Sequence, residues 1–191
     1  MRKIMGIILA FLAFPATCIA SGPMKGKVVS VSSGDLISFQ DQYGEIRQLS
    51  LYGIDAPDNE QKMGQHAKKM LFAMIGEKDV IVKLIENESK GIPSAYVALN
   101  GLSINAALVK AGCAWVNQET CKSSKCSNWT GYQHYAKKNK KGLWIDPEAK
   151  PPWEWRQRRM KAEEIVKKLR EYSKFCVTVH NSQSTTEGSG S

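Results

Sequence analysis

Short strand-like segments separated by turns are the feature that most constrains the fold of this chain. They are rich in Val, Ile and Leu, and turn or loop signals such as "DQYGE", "ENESKGIP" and "NG" lie between them. Short strands with helices interspersed are typical of a small closed barrel. We therefore predict an α+β fold, in which a five-stranded OB-type β-barrel packs against about three helices and a basic C-terminal helix follows. The predicted strands are residues 26–31, 36–39, 46–54, 79–85 and 95–99.

The helices are indicated by the spacing of apolar residues and by their end signals. Helical spacing predicts a first helix within 61–75. Ser103 is a typical cap and Gly112 a typical stop for a short second helix, and Gly142 is predicted to end a third. After several prolines, a basic amphipathic helix is predicted at 153–175. Its apolar positions include Trp155, Ile165, Val166, Leu169 and Tyr172.

The first twenty residues have the organisation of an export signal. Arg2 and Lys3 give a positive start, an apolar run follows to Phe14, and Ala20 is a small residue of the kind that signal peptidases read. The run is too short to cross a membrane, which argues against the alternative of a retained anchor. We predict cleavage, no stable membrane anchor, and an exported protein that is periplasmic or secreted. The predicted divisions are a signal peptide (1–20), a barrel domain (21–150), a helical extension (151–178) and a disordered polar tail (179–191).

The cysteines fit an oxidising compartment. Without Cys18, which lies in the predicted signal, four of the five cysteines remain. Cys121 and Cys126 lie close together in "CKSSKC", so we predict a disulfide between them. No Cys/His pair has the spacing of a zinc site. Cys113 lies in an apolar stretch and is predicted to be a buried thiol, although pairing with Cys176 stays open.

The chain is strongly basic. Its formal charge is +9, and removal of the predicted signal, which holds Arg2 and Lys3 and no acidic residue, leaves +7. An exported basic protein favours polyanionic partners, which include nucleic acid, anionic lipid and cell-wall polymer. The charge alone does not rank them.

Two acidic stretches carry the chemistry. "SSGDLI" precedes the second predicted strand and "IDAPD" ends the third, so Asp35 and Asp55 are expected to lie on neighbouring strands. Carboxylates together with a backbone carbonyl, such as that of Ala56, are ligands that suit a hard cation such as calcium. Each stretch by itself is also a common turn.

The whole set of motifs is more specific than its parts. "SGDLI", "LYGIDAPD", "GQHAKKML", "AYVALNG", "INAALVKAGCAWV", "GLW" and "PPWEWR" follow one another in this order. The order resembles the thermonuclease family, of which staphylococcal nuclease is the prototype, over roughly residues 26–156. The resemblance implies an OB-fold barrel and a calcium-dependent phosphodiesterase that acts on DNA and RNA. It also implies a glutamate as general base and two arginines that hold the phosphate.

The resemblance assigns roles to individual residues. Asp35, Asp55 and the Ala56 carbonyl fall on the calcium ligands, and Asp58 falls on the glutamate, which makes it the candidate general base. Ser50 and Ile92 stand where the family has its arginines. The loss of two charge stabilisers predicts weak hydrolysis.

Other cations are candidates to compensate for this loss. Arg47 and Lys90 are possible substitutes for the missing arginines, although Arg47 is expected to face the other side of its strand. The predicted nucleic-acid-binding residues are Lys137, Lys138, Lys140, Lys141, Arg156, Arg158 and Arg159. Two alternatives stay open: a nucleic-acid-binding module of the same fold without catalysis, and an envelope or membrane-surface protein that uses the basic helix.

Overall fold

Five strands close into a barrel, as the sequence predicts. The computed structural model describes residues 22–85 and 91–184. Its main sheet has the order β3-β2-β1-β5-β6-β7, and a parallel pairing of β3 with β6 closes the barrel. The strands are β1 (Met24–Val31), β2 (Leu36–Asp41), β3 (Ile46–Leu51), β4 (Ile54–Asp55), β5 (Asp79–Ile85), β6 (Ser94–Leu99), β7 (Leu102–Ser103) and β8 (Trp115–Val116). The helices are α1 (Gly64–Ile75), α2 (Ile104–Ala111), α3 (Lys125–Lys138) and α4 (Pro152–Ser184), with a 3₁₀ turn at Gly142–Ile145.

Alternation along the strands fills the barrel. In β2, Ile37 and Phe39 are fully buried, while the residues between them are partly exposed. Leu71 of α1 and Leu108 of α2 are also fully buried and belong to the same core cluster. Burial of each such side chain contributes about 1.5–3 kcal/mol relative to exposure. The core therefore fixes the ends of the strands, which carry the acidic residues.

The third predicted strand is divided in two by Gly53. Its φ is +72°, and a Cβ added there would lie 2.5 Å from the sulfur of Cys121, so only glycine is accommodated. The chain leaves the barrel at this point, and β4 pairs with β8, which sets Asp55 opposite Trp115. The single strand predicted at 46–54 is thus wrong at its end, because the left-handed residue reorients the backbone.

The helix ends follow the predicted signals in part. Ser103 accepts a hydrogen bond from the Ala106 amide at 3.3 Å, and Gly112 is left-handed with a φ of 74°. The third helix ends at Lys138 and not at Gly142, because Lys140 already adopts a left-handed conformation.

The C-terminal helix is longer than predicted. α4 continues to Ser184, past the boundary expected at 178, and no proline or glycine lies between 153 and 184 to stop it. The rest of the predicted tail and the predicted signal peptide lie outside the described residues. Within the described parts of the chain, no helix has the length and apolar character needed to cross a membrane. Apolar residues on α4, among them Ile165, Leu169 and Tyr172, are exposed.

The predicted disulfide is confirmed. Cys121 and Cys126 are bonded, and both are buried against the core. Cys113 is a buried free thiol, and burial raises its pKa to about 11. The bond therefore fixes the loop between β8 and α3 beside Gly53, close to the start of β4.

Candidate active site

Asp35 is held at the turn between β1 and β2. Its carboxylate accepts hydrogen bonds from the Ala56 amide at 2.9 Å and from the Ser33 hydroxyl at 2.7 Å. Gly34 makes this approach possible, because a Cβ there would lie 2.6 Å from that of Ala67 and 2.7 Å from that of Ala56. The two acidic stretches therefore meet through the Asp35–Ala56 hydrogen bond, but not on neighbouring strands as predicted, because β4 pairs with β8 and not with β2.

Asp55 ends β4, and Asp58 lies in the turn after it. Asp55 is the more enclosed, with 9% of its side chain exposed against 22% for Asp58. Asn59 donates to the Ser32 carbonyl at 2.9 Å, which ties this turn to the Asp35 turn. The three carboxylates accordingly lie in one cluster at the same end of the barrel.

Arg156 of α4 is bonded to this cluster. Its guanidinium contacts both carboxylate oxygens of Asp55, at 3.2 and 2.5 Å, and one oxygen of Asp58 at 2.9 Å. Arg156 is predicted to belong to an exposed basic surface, whereas the structure places it on the acidic residues. A bidentate pair of this kind is strong and directional.

The electrostatics of the cluster reflect burial. Desolvation raises the pKa of Asp35 to about 6, because its hydrogen-bond partners are neutral and only partly offset the loss of water. Burial also raises the pKa of Asp55, while its bonds to Arg156 act in the opposite direction. Hydrogen bonding to Asp55 raises the pKa of Arg156 above its usual range. Arg156 thus stabilises the charged form of Asp55, and Asp35 has a charge that its neighbours compensate poorly.

The donor set fits a hard cation. Asp35 and Asp55 offer carboxylate oxygens, and a cation between them would compensate the poorly neutralised charge of Asp35. Among the described residues, no group of three or more His, Cys, Asp or Glu side chains is placed to hold a metal ion, so these residues offer at most two carboxylates to one. Water and the Ala56 carbonyl would therefore have to complete the coordination, and Arg156 would have to release at least part of Asp55.

Positions 50 and 92, where the family resemblance implies arginines, border the cluster. Ser50 donates its amide to the Pro93 carbonyl at 2.9 Å, so positions 50 and 92 lie in adjacent backbone segments. Leu51 in turn donates to the Asp35 carbonyl at 2.8 Å. The side chains here are a serine and an exposed isoleucine, neither of which carries charge.

Of the two predicted substitutes, Arg47 can be placed and lies elsewhere. Arg47 is paired with Glu45 and lies 3.7 Å from Asp41, at the hairpin end of β3. It is directed away from the acidic cluster, since it lies opposite Phe39 while Ser50 lies opposite Leu36. Lys90 lies outside the described residues. Arg47 is therefore not positioned to hold a phosphate at Asp55.

A basic and aromatic surface adjoins β4. The ring of Trp115, opposite Asp55, lies 4.2 Å from that of Trp144 and 6.0 Å from that of Trp153. The ammonium of Lys137 lies over Trp115 and Trp144, at 5.1 and 4.5 Å from their centroids. The other predicted lysines in this region, which are Lys138, Lys140 and Lys141, are exposed.

Sequence reasoning missed two contacts that shape the site. Buried Asn105 bonds to the Tyr52 and Ala95 carbonyls and to the Val97 amide, and so fixes the corner between β3 and β4 to β6. A lone polar residue on an apolar helix face was the available signal. The contact of Arg156 with Asp55 joins residues far apart in sequence, and no local pattern indicates it.

Comparisons with known proteins identify the family. The family described as "Staphylococcal nuclease homologue" matches residues 48–146. An "Uncharacterized endonuclease" of Escherichia coli is 31% identical over 160 residues, which cover 83% of this chain and 100% of that protein. A "Micrococcal nuclease" of Shigella flexneri is 27% identical over 166 residues, which cover 82% and 92%. The chain belongs to the staphylococcal nuclease homologue family, which confirms the resemblance in motif order.

Proposed function

We propose that this protein hydrolyses phosphodiester bonds in DNA or RNA and that calcium is its cofactor. The observation that supports this most directly is the cluster of Asp35, Asp55 and Asp58 at one end of a barrel of the nuclease family. Asp35 and Asp55 are the two carboxylates that suit a divalent cation, and Asp58 is left to accept a proton once a substrate is bound.

The proposed reaction is attack of water on phosphorus. Bound calcium supplies positive charge that polarises the phosphate. Asp58 takes a proton from the attacking water, and a bond from phosphorus to that oxygen forms. The opposite P–O bond breaks, and the leaving oxygen takes a proton from solvent. Asp58 is less enclosed than Asp55, so water can reach it.

Catalysis is proposed to be slow in comparison with a family member that carries both arginines. Ser50 and Ile92 supply no charge to the transition state. Loss of one positioned charge stabiliser typically costs about 10²–10³ in rate. Asp35, Asp55 and Asp58 are all present, which favours residual activity over its complete loss.

Nucleic acid would lie along the basic and aromatic surface beside β4. The Lys137 ammonium, which stands over Trp115 and Trp144, offers a positioned cation to a phosphate. Lys138, Lys140 and Lys141 would contact successive phosphates. This arrangement leads from the helical side of the molecule towards Asp55.

Export is proposed as well, to the periplasm or outside the cell. The bond between Cys121 and Cys126 supports an oxidising compartment, because disulfides are rare in the cytosol. The charged start and short apolar run of residues 1–20 support cleavage of a signal.

A binding module without catalysis is the second candidate, and the uncharged residues at 50 and 92 favour it. A labelled single-stranded oligonucleotide separates the two, since it reports both binding and cleavage. Slow conversion to shorter products in calcium supports the enzyme. Retention of the intact oligonucleotide by the protein, with no products after prolonged incubation, would support the binding module.

A further inference from the structure

Two arginines of α4 face the acidic cluster. Arg156 and Arg159 are three positions apart, so their side chains project from the same face of the helix. Arg156 contacts Asp55 and Asp58, and Arg159 contacts Glu60 at 3.2 Å. This face of α4 therefore supplies two guanidinium groups to a site that has none at the positions expected from the family.

The start of α4 is firmly anchored beside the site. Gln61 donates to the Lys150 carbonyl at 2.7 Å, directly before the helix, and Pro151 and Pro152 are buried. Trp153 packs edge-on against Trp115, which is opposite Asp55 in the sheet. The two arginines are consequently held in position by the fold and do not depend on their ion pairs alone.

A cavity lies between Arg159 and Asp58. It measures about 280 Å³ and is lined by Ser33, Asp58, Asn59, Glu60 and Arg159. The surrounding carboxylates would repel a phosphodiester unless cations offset them. A phosphate in this cavity would lie next to Asp58, the candidate base, and near the α4 arginines.

We propose that Arg156 and Arg159 hold the phosphate that is cleaved, in place of the arginines absent at positions 50 and 92. The proposal rests on the function proposed above and names the residues that bind its substrate. Without calcium and substrate, Arg156 neutralises Asp55 and Asp58. With a cation held by Asp35 and Asp55, Arg156 would be released to bind the phosphate, and Asp58 would be left free to accept a proton.

The existing contacts of Arg156 and Arg159 allow both side chains to leave their carboxylate partners for a phosphate. Arg159 pairs with Glu60 at the surface, where 44% of one side chain and 75% of the other are exposed, and such pairs contribute little stability. Arg156 is 38% exposed, so its guanidinium can reach a ligand in the cleft without unfolding of the helix. A guanidinium that bridges two carboxylates is also able to donate hydrogen bonds to two phosphate oxygens.

The test compares Arg156→Gln and Arg159→Gln with Lys161→Gln, which removes an exposed charge from another face of the same helix. Cleavage of a labelled single-stranded DNA oligonucleotide is measured in calcium. We expect kcat to fall about tenfold or more in the first two variants, because charge stabilisation in the transition state is lost. Lys161→Gln is expected to leave kcat unchanged.

A second readout does not depend on activity. In a calorimetric calcium titration without nucleic acid, Arg156→Gln should bind calcium several-fold more tightly, since a competing cation has left Asp55. Lys161→Gln should bind calcium like the wild type. An unchanged calcium affinity in Arg156→Gln would overturn the proposal that calcium and Arg156 compete for Asp55. Arg159→Gln loses only exposed ion pairs and is expected to fold. If Arg156→Gln does not fold, the kcat of Arg159→Gln therefore tests the proposal.

The outcomes separate this proposal from the proposed function. A wild type that cleaves in calcium, with all three variants alike in kcat, overturns the arginine assignment and leaves the nuclease intact. A folded wild type without any calcium-dependent cleavage overturns both.

Discussion

Arg156 donates to both carboxylate oxygens of Asp55, across 101 residues of sequence. The guanidinium also reaches Asp58, so one cation from the C-terminal helix neutralises two carboxylates of the candidate site. In consequence the acidic cluster is stable without a metal. A metal or a substrate that enters it has to compete with a group of the chain itself.

Calcium should stabilise the folded chain through Asp55. An ion that binds only the folded form raises the melting temperature in proportion to its occupancy. Asp55→Asn should lose most of this gain, because a ligand and its charge are removed. Asp79→Asn is the matched control, since Asp79 is an exposed aspartate at the start of β5. Thermal unfolding with calcium and with chelator measures the difference, and equal calcium responses in the wild type and Asp55→Asn would refute the site.

Asp35 should make stability depend on pH in the absence of calcium. Its pKa is raised from 3.8 to about 6, so the folded chain binds more protons than the unfolded chain between these values. The contribution of Asp35 to the free energy of unfolding therefore falls as pH rises through this window. Asp35→Asn should abolish the fall and be the more stable protein at neutral pH. Urea unfolding across the window tests this, and parallel curves for both proteins would contradict it.

Loss of the disulfide should destabilise the chain moderately. Cys121 and Cys126 are separated by only five positions, so their bond restricts a small loop of the unfolded chain. The chain-entropy model gives a loss of about 2 kcal/mol for Cys121→Ser with Cys126→Ser. Chemical unfolding of this double variant and of reduced wild type should agree. A variant as stable as the oxidised protein would show that the bond has no such role.

Arginines at the family positions should rescue a chain that lacks the α4 pair. Ser50→Arg and Ile92→Arg place guanidinium groups in adjacent segments that border Asp35. In a chain that carries both Arg156→Gln and Arg159→Gln, the two new arginines together should restore more calcium-dependent cleavage than either alone, because groups that act as a unit are not additive. The same two arginines introduced into Lys161→Gln should give a smaller relative gain. Cleavage rates of the combined variants measure this, and a folded, calcium-binding rescue variant without activity would implicate Asp58.

The barrel was predictable because its signals are local. Alternating apolar residues, a cap at Ser103 and turn sequences mark the elements one by one. The Asp35 and Asp55 stretches meet as expected, but β4 pairs with β8 and is not a neighbour of β2. The break at Gly53 was missed, since a left-handed glycine inside an apolar run resembles an uninterrupted strand.

The parts of the site that escaped prediction are long-range. Arg156 has the same sequence context as Arg158 and Arg159, a basic stretch at the start of a helix. What distinguishes it is the position of α4, which is fixed by Trp153, by the buried prolines and by the bond of Gln61 to Lys150. Those contacts form only in the folded chain.

The most direct test of the central claim is the initial rate of oligonucleotide cleavage by the purified chain, in calcium and in chelator. The account predicts measurable cleavage in calcium, background in chelator, and background in both conditions for Asp55→Asn, which also excludes a contaminating nuclease. Equal cleavage with and without calcium would contradict the metal role of the acidic cluster. Binding of the oligonucleotide without cleavage in either condition would contradict the enzyme and leave a nucleic-acid-binding module.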